Sequence, residues 1–294
     1  DRLRSRGLGD VYKRQVYELV TNRIIEQLEN NIVPWEKPWS GTLDGAFNRV
    51  SKKPYSILNQ MLLKYGGEYA SFKQWKDLGG HIRKGEKSEM VVFWKMYPIK
   101  EKQDDGTEII KTIPLLKYIN VFHISQVDGV EPLKQKVTHD IEPIDKAEKI
   151  LNDYWNRENI TIEHVKGDKA FYSPMFDKIQ LPLFEQFKSS EEYYSTATHE
   201  SVHSTMKTSR CNRQEDRKGK VVSFGSEEYS KEELVAEVGS AQLMNIVGIE
   251  TTKSFRNSTA YIQSWLKVLR NDNKFIVSAS SKAEKAVNYI LGIQ

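Results

Sequence analysis

The sequence predicts an α+β fold arranged as two domains. Three observations lead there. The chain has 294 residues, enough for two ordinary domains with a buried core each. Stretches with the apolar spacing of helices and stretches with the composition of strands follow one another in both halves. Between the halves, residues 128–140 are polar and without periodicity, as a linker would be, so the domains are expected at 16–127 and 141–294.

Hydrophobic residues at 38% and aromatic residues at 11% exclude a disordered chain. No apolar run approaches the roughly 20 residues of a membrane helix, and the N-terminus has charge without the apolar core of a signal peptide. A single cysteine, Cys211, excludes an internal disulfide framework and fits a reducing, cytoplasmic location. The net charge of +4 says little about partners, because residues 1–15 carry five basic and two acidic groups and leave the rest at about +1. That segment resembles translated sequencing-adapter read-through and is expected to be a non-native extension.

Residues 16–31 place Val16, Leu19, Val20, Ile24, Ile25 and Leu28 at helical spacing, and Pro34 ends that helix. Trp35 and Trp39, bracketed by prolines, read as a loop packed back on its domain, with base stacking as the other use. A basic turn, Asn48 to Ser56, leads into a helix running to about Lys64. Ser71 is a helix cap for the turn carrying Gln74, Trp75 and Leu78. The glycine-punctuated basic loop Gly79–Lys87 feeds a strand at Met90–Trp94. A polar hairpin follows between about Lys100 and Lys111, and a strand from Leu115 to Ile124 closes the half.

Between Lys73 and Lys95 six basic residues stand against three acidic ones, interleaved with Trp75, Phe93 and Trp94. Lysine and arginine neutralise phosphates while aromatic faces stack on unpaired bases, the usual means of holding a single strand. A solvated loop beside a half-buried strand explains the same composition, and composition alone slightly favours it.

In the second half Pro143 opens a helix through Ala147, Ile150, Leu151, Tyr154 and Trp155. Strand-like stretches follow at Ile160–Val165, Ala170–Tyr172 and Lys178–Pro182. A helix from about Glu192 to Thr208 then carries His199-Glu200-Ser201-Val202-His203. Histidines four apart on a helix share a face, so both imidazoles can reach one metal ion, and Glu200 beside them can act as general base on a water.

A catalytic zinc needs a third protein ligand. About 30 residues on, Tyr229–Ala241 reads as a helix capped by Ser230, with Glu233 at the capping-box position and Glu237 four later on the same face. One of these glutamates can bind the metal while the other orients a histidine through its second ring nitrogen. Glu232 is a third contender. Ala236, Gly239, Ser240 and Ala241 would let this helix approach the histidine helix closely. The other histidines, His81, His123, His139 and His164, have no ligand spacing, and Cys211 reads as an ordinary thiol.

Several linked motifs then suggest a family. They are the proline–tryptophan segment at Trp35 and Trp39, Pro54-Tyr55-Ser56-Ile57-Leu58-Asn59, Trp75 followed by Ile82-Arg83-Lys84-Gly85-Glu86-Lys87, Val91-Val92-Phe93 and Tyr118-Ile119-Asn120-Val121-Phe122. In the second half they are Tyr172-Ser173-Pro174 through Pro182, His199 to His203, Glu232 to Glu237 and Tyr261 to Trp265. With these, the chain from about Val16 to Gln294 resembles the ArdC-type antirestriction proteins of plasmids, phages and other mobile elements. It departs from that family where Tyr55 is followed by Ser-Ile-Leu-Asn in place of Arg-Gly-Ile-Asn, and where Ser204-Thr205-Met206 replaces Trp-Thr-Gly.

The resemblance implies a single-stranded-DNA-binding α+β domain followed by a zincin-like metallopeptidase domain. Arg83, Lys84 and Lys87 would lie on phosphates, Trp75 or Tyr55 would stack on bases, and Asn59 would join them. His199, His203 and Glu233 would hold Zn²⁺, with Mn²⁺ and Co²⁺ as the other candidates. Glu233 is preferred because glutamate-type zincins place the ligand first and its supporting carboxylate, here Glu237, four residues later. The strand ending at Leu181 would be the edge on which a peptide lies. The biological role implied is protection of incoming DNA against restriction in a bacterial host. A protein or peptide substrate, such as a component of the host restriction system, is a further implied partner. The alternative is a DNA-binding protection protein whose metal site is structural and not proteolytic.

Overall fold

A computed structural model of the chain describes residues 2–30, 32–35, 45–102, 108–133, 143–213, 227–249 and 259–293. Trp39, His139 and most of the expected linker lie outside these residues. The first helix, α1 (Arg2–Glu29), buries Val16, Val20, Ile24 and Leu28, one residue per turn. Thr21 on the same face donates to the carbonyl of Asn273 at 2.7 Å, which ties α1 to the far end of the chain.

Two further helices, a 3-10 turn and six strands complete the described part of the first half. The strands are β1 (Ala46–Asn48), β2 (Gly67–Ala70), β3 (His81–Ile82), β4 (Glu89–Lys102), β5 (Glu108–His123) and β6 (Val127–Asp128). The helices are α2 (Ile57–Leu62) and α3 (Phe72–Asp77), and the 3-10 turn is Ile124–Gln126. Strands β1, β2, β5 and β4 form one sheet in that order, with β1 parallel to β2 and the other pairs antiparallel. Strands β3 and β6 form a separate two-stranded ribbon. Ser71 caps α3 with a full capping box through Gln74, as its spacing predicts.

The β4–β5 hairpin is longer than the polarity of its tip predicts. Pairing runs from Glu89↔Val121 out to Lys102↔Glu108. The reason lies in Tyr97 and Ile99 on one strand and Ile109, Ile110, Thr112 and Ile113 on the other, residues whose shapes favour extended backbone. At the root of the hairpin Val92 and Leu116 enter the core, whereas Phe93, Trp94, Met96 and Ile110 farther out are exposed.

The second half begins with α4 (Pro143–Glu158). Its sheet has three strands, β7 (Thr161–Val165), β8 (Phe171–Ser173) and β9 (Lys178–Pro182), in the order β7-β9-β8. Helices α5 (Ser190–Ser204), α6 (Glu227–Val247), α7 (Thr259–Asn271) and α8 (Phe275–Leu291) follow. One principal core cluster joins α1, α2 and the hairpin root to α4, α5, α6, α7 and α8. Trp35 is part of it, meeting Trp265 of α7 edge to face at 5.2 Å, which is the packing role its loop predicts.

The β8–β9 turn is locked to the end of α5 by charge. Arg210, whose side chain is 1% exposed, donates to both carboxylate oxygens of Asp177 at 2.8 Å, to Glu158 of α4 at 3.0 Å and to the Ser204 carbonyl at 2.9 Å. Asp177 adopts a left-handed φ of 47°, and its partners hold it there. Burial opposes the Asp177 charge, but hydrogen bonds from Arg210, Lys207 and Tyr172 outweigh it and bring its pKa below the ordinary value. A depressed carboxyl pKa stabilises the fold above the unfolded value and loses that contribution as pH falls through the folded one. Replacing Arg210 with alanine is therefore expected to cost about 3–5 kcal/mol at neutral pH. Urea denaturation would measure this, and the difference should shrink as pH falls below the ordinary carboxyl range and Asp177 protonates.

Candidate metal centre

Three side chains converge where α5 crosses α6. Nε2 of His199 lies 3.0 Å from Nε2 of His203, and the carboxylate oxygens of Glu233 lie 3.5 Å and 3.3 Å from those two nitrogens. These are the residues among those described that form a group able to hold a metal ion. A tetrahedral ion with bonds of roughly 2.0–2.1 Å separates its ligands by about 3.3 Å, so the donors already have the spacing such an ion requires. Two nitrogens facing each other this closely repel unless a proton or a cation stands between them. The donor set fits zinc and also suits manganese or cobalt.

The contact between the two helices sets this geometry. A Cβ on Gly239 would lie 3.0 Å from Cγ2 of Val202, so glycine is what permits the approach. Beside it Thr198 and Ser240 share a hydroxyl hydrogen bond of 2.7 Å, and Ser240 also donates to the Ser195 carbonyl. The small residues of α6 thus perform the packing role their sequence predicts. On the far side of α5, Trp155 donates to Ser201 at 2.8 Å and Tyr154 pairs with Ser204 at 2.7 Å, fixing the rotation of the helix.

Each imidazole has a carboxylate behind it. Nδ1 of His199 lies 3.3 Å from Glu237, the supporting position expected for that residue. Nδ1 of His203 lies 3.4 Å from Glu232, which Arg213 holds with bonds of 2.7 Å and 3.2 Å. With both Nδ1 atoms turned to carboxylates, both Nε2 lone pairs face the centre. Glu232, a contender for ligand in the sequence, is therefore placed on the outer side of His203. No fixed spacing marks Arg213, so nothing in the sequence announces this pair. Glu200 is 3% exposed, and its charge acts on His203.

Ser230 does not cap α6. The helix begins earlier, at Glu227, and the Ser230 hydroxyl instead pairs with Ser264 of α7 at 2.7 Å. Nor is the strand ending at Leu181 an edge. β9 pairs with β7 on one side and β8 on the other, and Leu181 is fully buried. β8, which packs against α5, is an outer strand of this sheet. Cys211 lies outside the donor group, and burial pushes its thiol pKa up. His123 bonds the Gly66 carbonyl and His164 the Tyr193 hydroxyl, both away from the centre.

The sequence-predicted nucleic-acid residues do not share one fate. Trp75 is fully buried and donates its Nε1–H to the Phe122 carbonyl, so it has no face to offer a base. Asn59 is buried and clasps the backbone of Val92 through both amide atoms, at 2.7 Å and 2.8 Å. Tyr55 is half-buried against Tyr69. Arg83 is 44% exposed but engages Glu86, Asp128 and the Ser125 carbonyl. Lys84 and Lys87 are exposed on the loop before β4. Phe93 and Trp94 of the hairpin, which the sequence offered both as stacking rings and as part of a half-buried strand, are 40% and 51% exposed.

Comparison with known proteins follows the two halves of the chain. Residues 14–122 match the model of the N-terminal domain of anti-restriction factor ArdC, and residues 146–282 match that of a zincin-like metallopeptidase. The metal-free crystal structure of the antirestriction ArdC protein from plasmid R388 is 30% identical, with a TM-score of 0.72 over 95% of this chain and 98% of that one. Its Mn(II)-bound structure is 29% identical, again with a TM-score of 0.72, over 94% and 97%. An Escherichia coli DNA primase TraC is 34% identical over 96% of this chain but only 20% of the primase, so the chain spans about a fifth of that relative. The uncharacterized protein y4eC of Sinorhizobium fredii is 30% identical over 94% of this chain and 91% of its own length.

Proton competition at the centre is measurable. Burial lowers the His203 pKa, but the charge of Glu233 and the carboxylate of Glu232 beside the ring raise it further, for a net shift well above the ordinary value. A metal must displace that proton, so apparent zinc affinity is expected to rise about tenfold per pH unit from roughly pH 6 to 8. Competition with a chromophoric chelator would measure it. Glu233→Ala should abolish the melting-temperature increase that zinc gives the wild type.

Proposed function

The chain belongs to the ArdC antirestriction family, and we propose that it protects the DNA of a mobile element by binding single strands and by metal-dependent peptide hydrolysis. The observation that carries the catalytic half is the spacing of His199, His203 and Glu233, with Glu200 on the same helix. Bound zinc or manganese would supply Lewis-acid polarisation of a peptide carbonyl and lower the pKa of a water. Glu200 takes the proton from the attacking water and passes it to the departing amine. Glu237 keeps His199 in the tautomer that presents Nε2 inward. A peptide substrate would lie along β8 and not β9, because β9 already has both neighbours.

For the DNA half, the β4–β5 hairpin is a better platform than Trp75. Successive residues alternate faces, so Phe93, Lys95 and Tyr97 share one side with Lys117 of the partner strand. The ammonium groups of Lys95 and Lys117 lie 5.2 Å and 5.0 Å from the centre of the Tyr97 ring. Trp94 and Met96, about half exposed, occupy the other side with Tyr118. Rings that stack and cations that neutralise phosphates are together what an unpaired strand needs. Lys84 and Lys87 extend that charge towards the root of the hairpin. The setting is the cytoplasm of a bacterial host, and no described helix is long and apolar enough to cross a membrane.

One observation favours a second reading, in which the metal is structural and DNA binding alone protects. His199, Glu200, Glu233 and Glu237 are only 2–6% exposed, and His203 reaches just 9%. The two readings part at Glu200→Ala, which removes the base and leaves the three donors. In a transformation assay against a restricting host, loss of protection with metal and DNA binding intact supports the peptidase. Surviving protection supports the structural reading. Separately, Trp94→Ala with Lys95→Ala and Lys117→Ala is expected to weaken oligonucleotide binding by at least about tenfold and to lower its salt dependence, read by fluorescence anisotropy. Unchanged affinity would remove the hairpin from the interface.

A further inference from the structure

Behind His203 lies an arrangement that the metal ligands alone do not require. Nδ1 of this ring is buried and forms no well-aligned hydrogen bond among the described residues, yet Oε1 of Glu232 is 3.4 Å away. The Glu232 carboxylate is gripped on its other side by Arg213, a residue only 5% exposed. The guanidinium is in turn anchored to the last turn of α5, donating to the Val202 carbonyl at 2.9 Å and the Thr205 hydroxyl at 2.7 Å. Those two residues lie on either side of His203 along the chain. The circuit therefore starts on the histidine helix, crosses to α6 and returns to the histidine ring.

We propose that Arg213 and Glu232 are a positioning pair for His203, holding its ring so that Nε2 points at the metal. This rests on the reading of His199, His203 and Glu233 as metal donors. Glu232 accepts the Nδ1 proton, as Glu237 does for His199, so each imidazole is aimed by its own carboxylate. Arg213 is needed because Glu232 is followed directly by Glu233. Two adjacent carboxylates, both largely buried beside Glu200 and Glu237, repel one another unless a cation is placed among them. Its rigid fork reaches both oxygens of Glu232 and leaves the remaining donors for α5. Neither residue belongs to the donor group of His199, His203 and Glu233.

The test is zinc affinity by competition with a chromophoric chelator, alongside thermal melting of the metal-free proteins. Glu232→Ala is expected to bind zinc about 10–100-fold more weakly than wild type. Glu232→Gln, whose amide oxygen can still accept from Nδ1, should recover a large part of that loss. Glu232→Ala strands the Arg213 charge and puts the fold at risk, so a second variant pairs Arg213→Met with Glu232→Leu and removes both charges together. It should melt close to wild type without metal and still bind about 10–100-fold more weakly. Zinc binding within about threefold of wild type in either variant overturns the proposal, as does a Glu232→Gln protein that binds no better than Glu232→Ala. A wild-type protein that takes up neither zinc nor manganese overturns the metal reading itself, and the positioning role falls with it.

Discussion

The close approach of α5 and α6 is the constraint on which the centre depends. Gly239 against Val202 sets the separation, and the Thr198–Ser240 hydroxyl pair fixes the register along the axes. A side chain on residue 239 would press on the Val202 side chain, which would have to give by a few tenths of an ångström. Rotation is fixed separately, by Tyr154 and Trp155 on the opposite side of α5. Burying so many polar groups is costly unless each has a partner, which accounts for the layering of carboxylate behind imidazole and guanidinium behind carboxylate.

Much of this centre could be read from the sequence, because helical periodicity is a local property. His199 and His203 four apart, and Glu233 and Glu237 four apart, each define a face without knowledge of what lies opposite. The longer strands followed from composition in the same way, whereas the short β1, β2, β3 and β6 did not. What stayed hidden depends on contacts between distant segments. Trp75 reads equally well as a stacking surface or a core residue, and only the backbone of Phe122 decides between them. Ser230 has the chemistry of a cap, but a helix start is set by where the chain enters, three residues earlier here. Leu181 lies on a strand whose two neighbours come from before it in the chain, and no periodicity in Lys178–Pro182 says how many partners it has. Arg213 carries no spacing signal at all.

The relatives show how this chain's architecture is reused. It aligns almost end to end with the ArdC protein of plasmid R388, and with a short segment of a primase several times longer. The match to ArdC extends to both a metal-free and a Mn(II)-bound structure with the same TM-score.

The Thr21–Asn273 hydrogen bond joins residues 252 positions apart, and α1 packs against α7 and α8 from the other end of the chain as well as against β5 and α2. That has a kinetic cost during synthesis. Ribosomes extend chains at about 5–20 residues per second, so the apolar stripe of α1 waits on the order of 10–60 seconds before α7 and α8 emerge to cover it. Throughout that interval Val16, Val20, Ile24 and Leu28 have only the hairpin root and α2 to lie against. The cost is a transiently exposed apolar helix face on the nascent chain, of the kind that favours aggregation until its partners arrive.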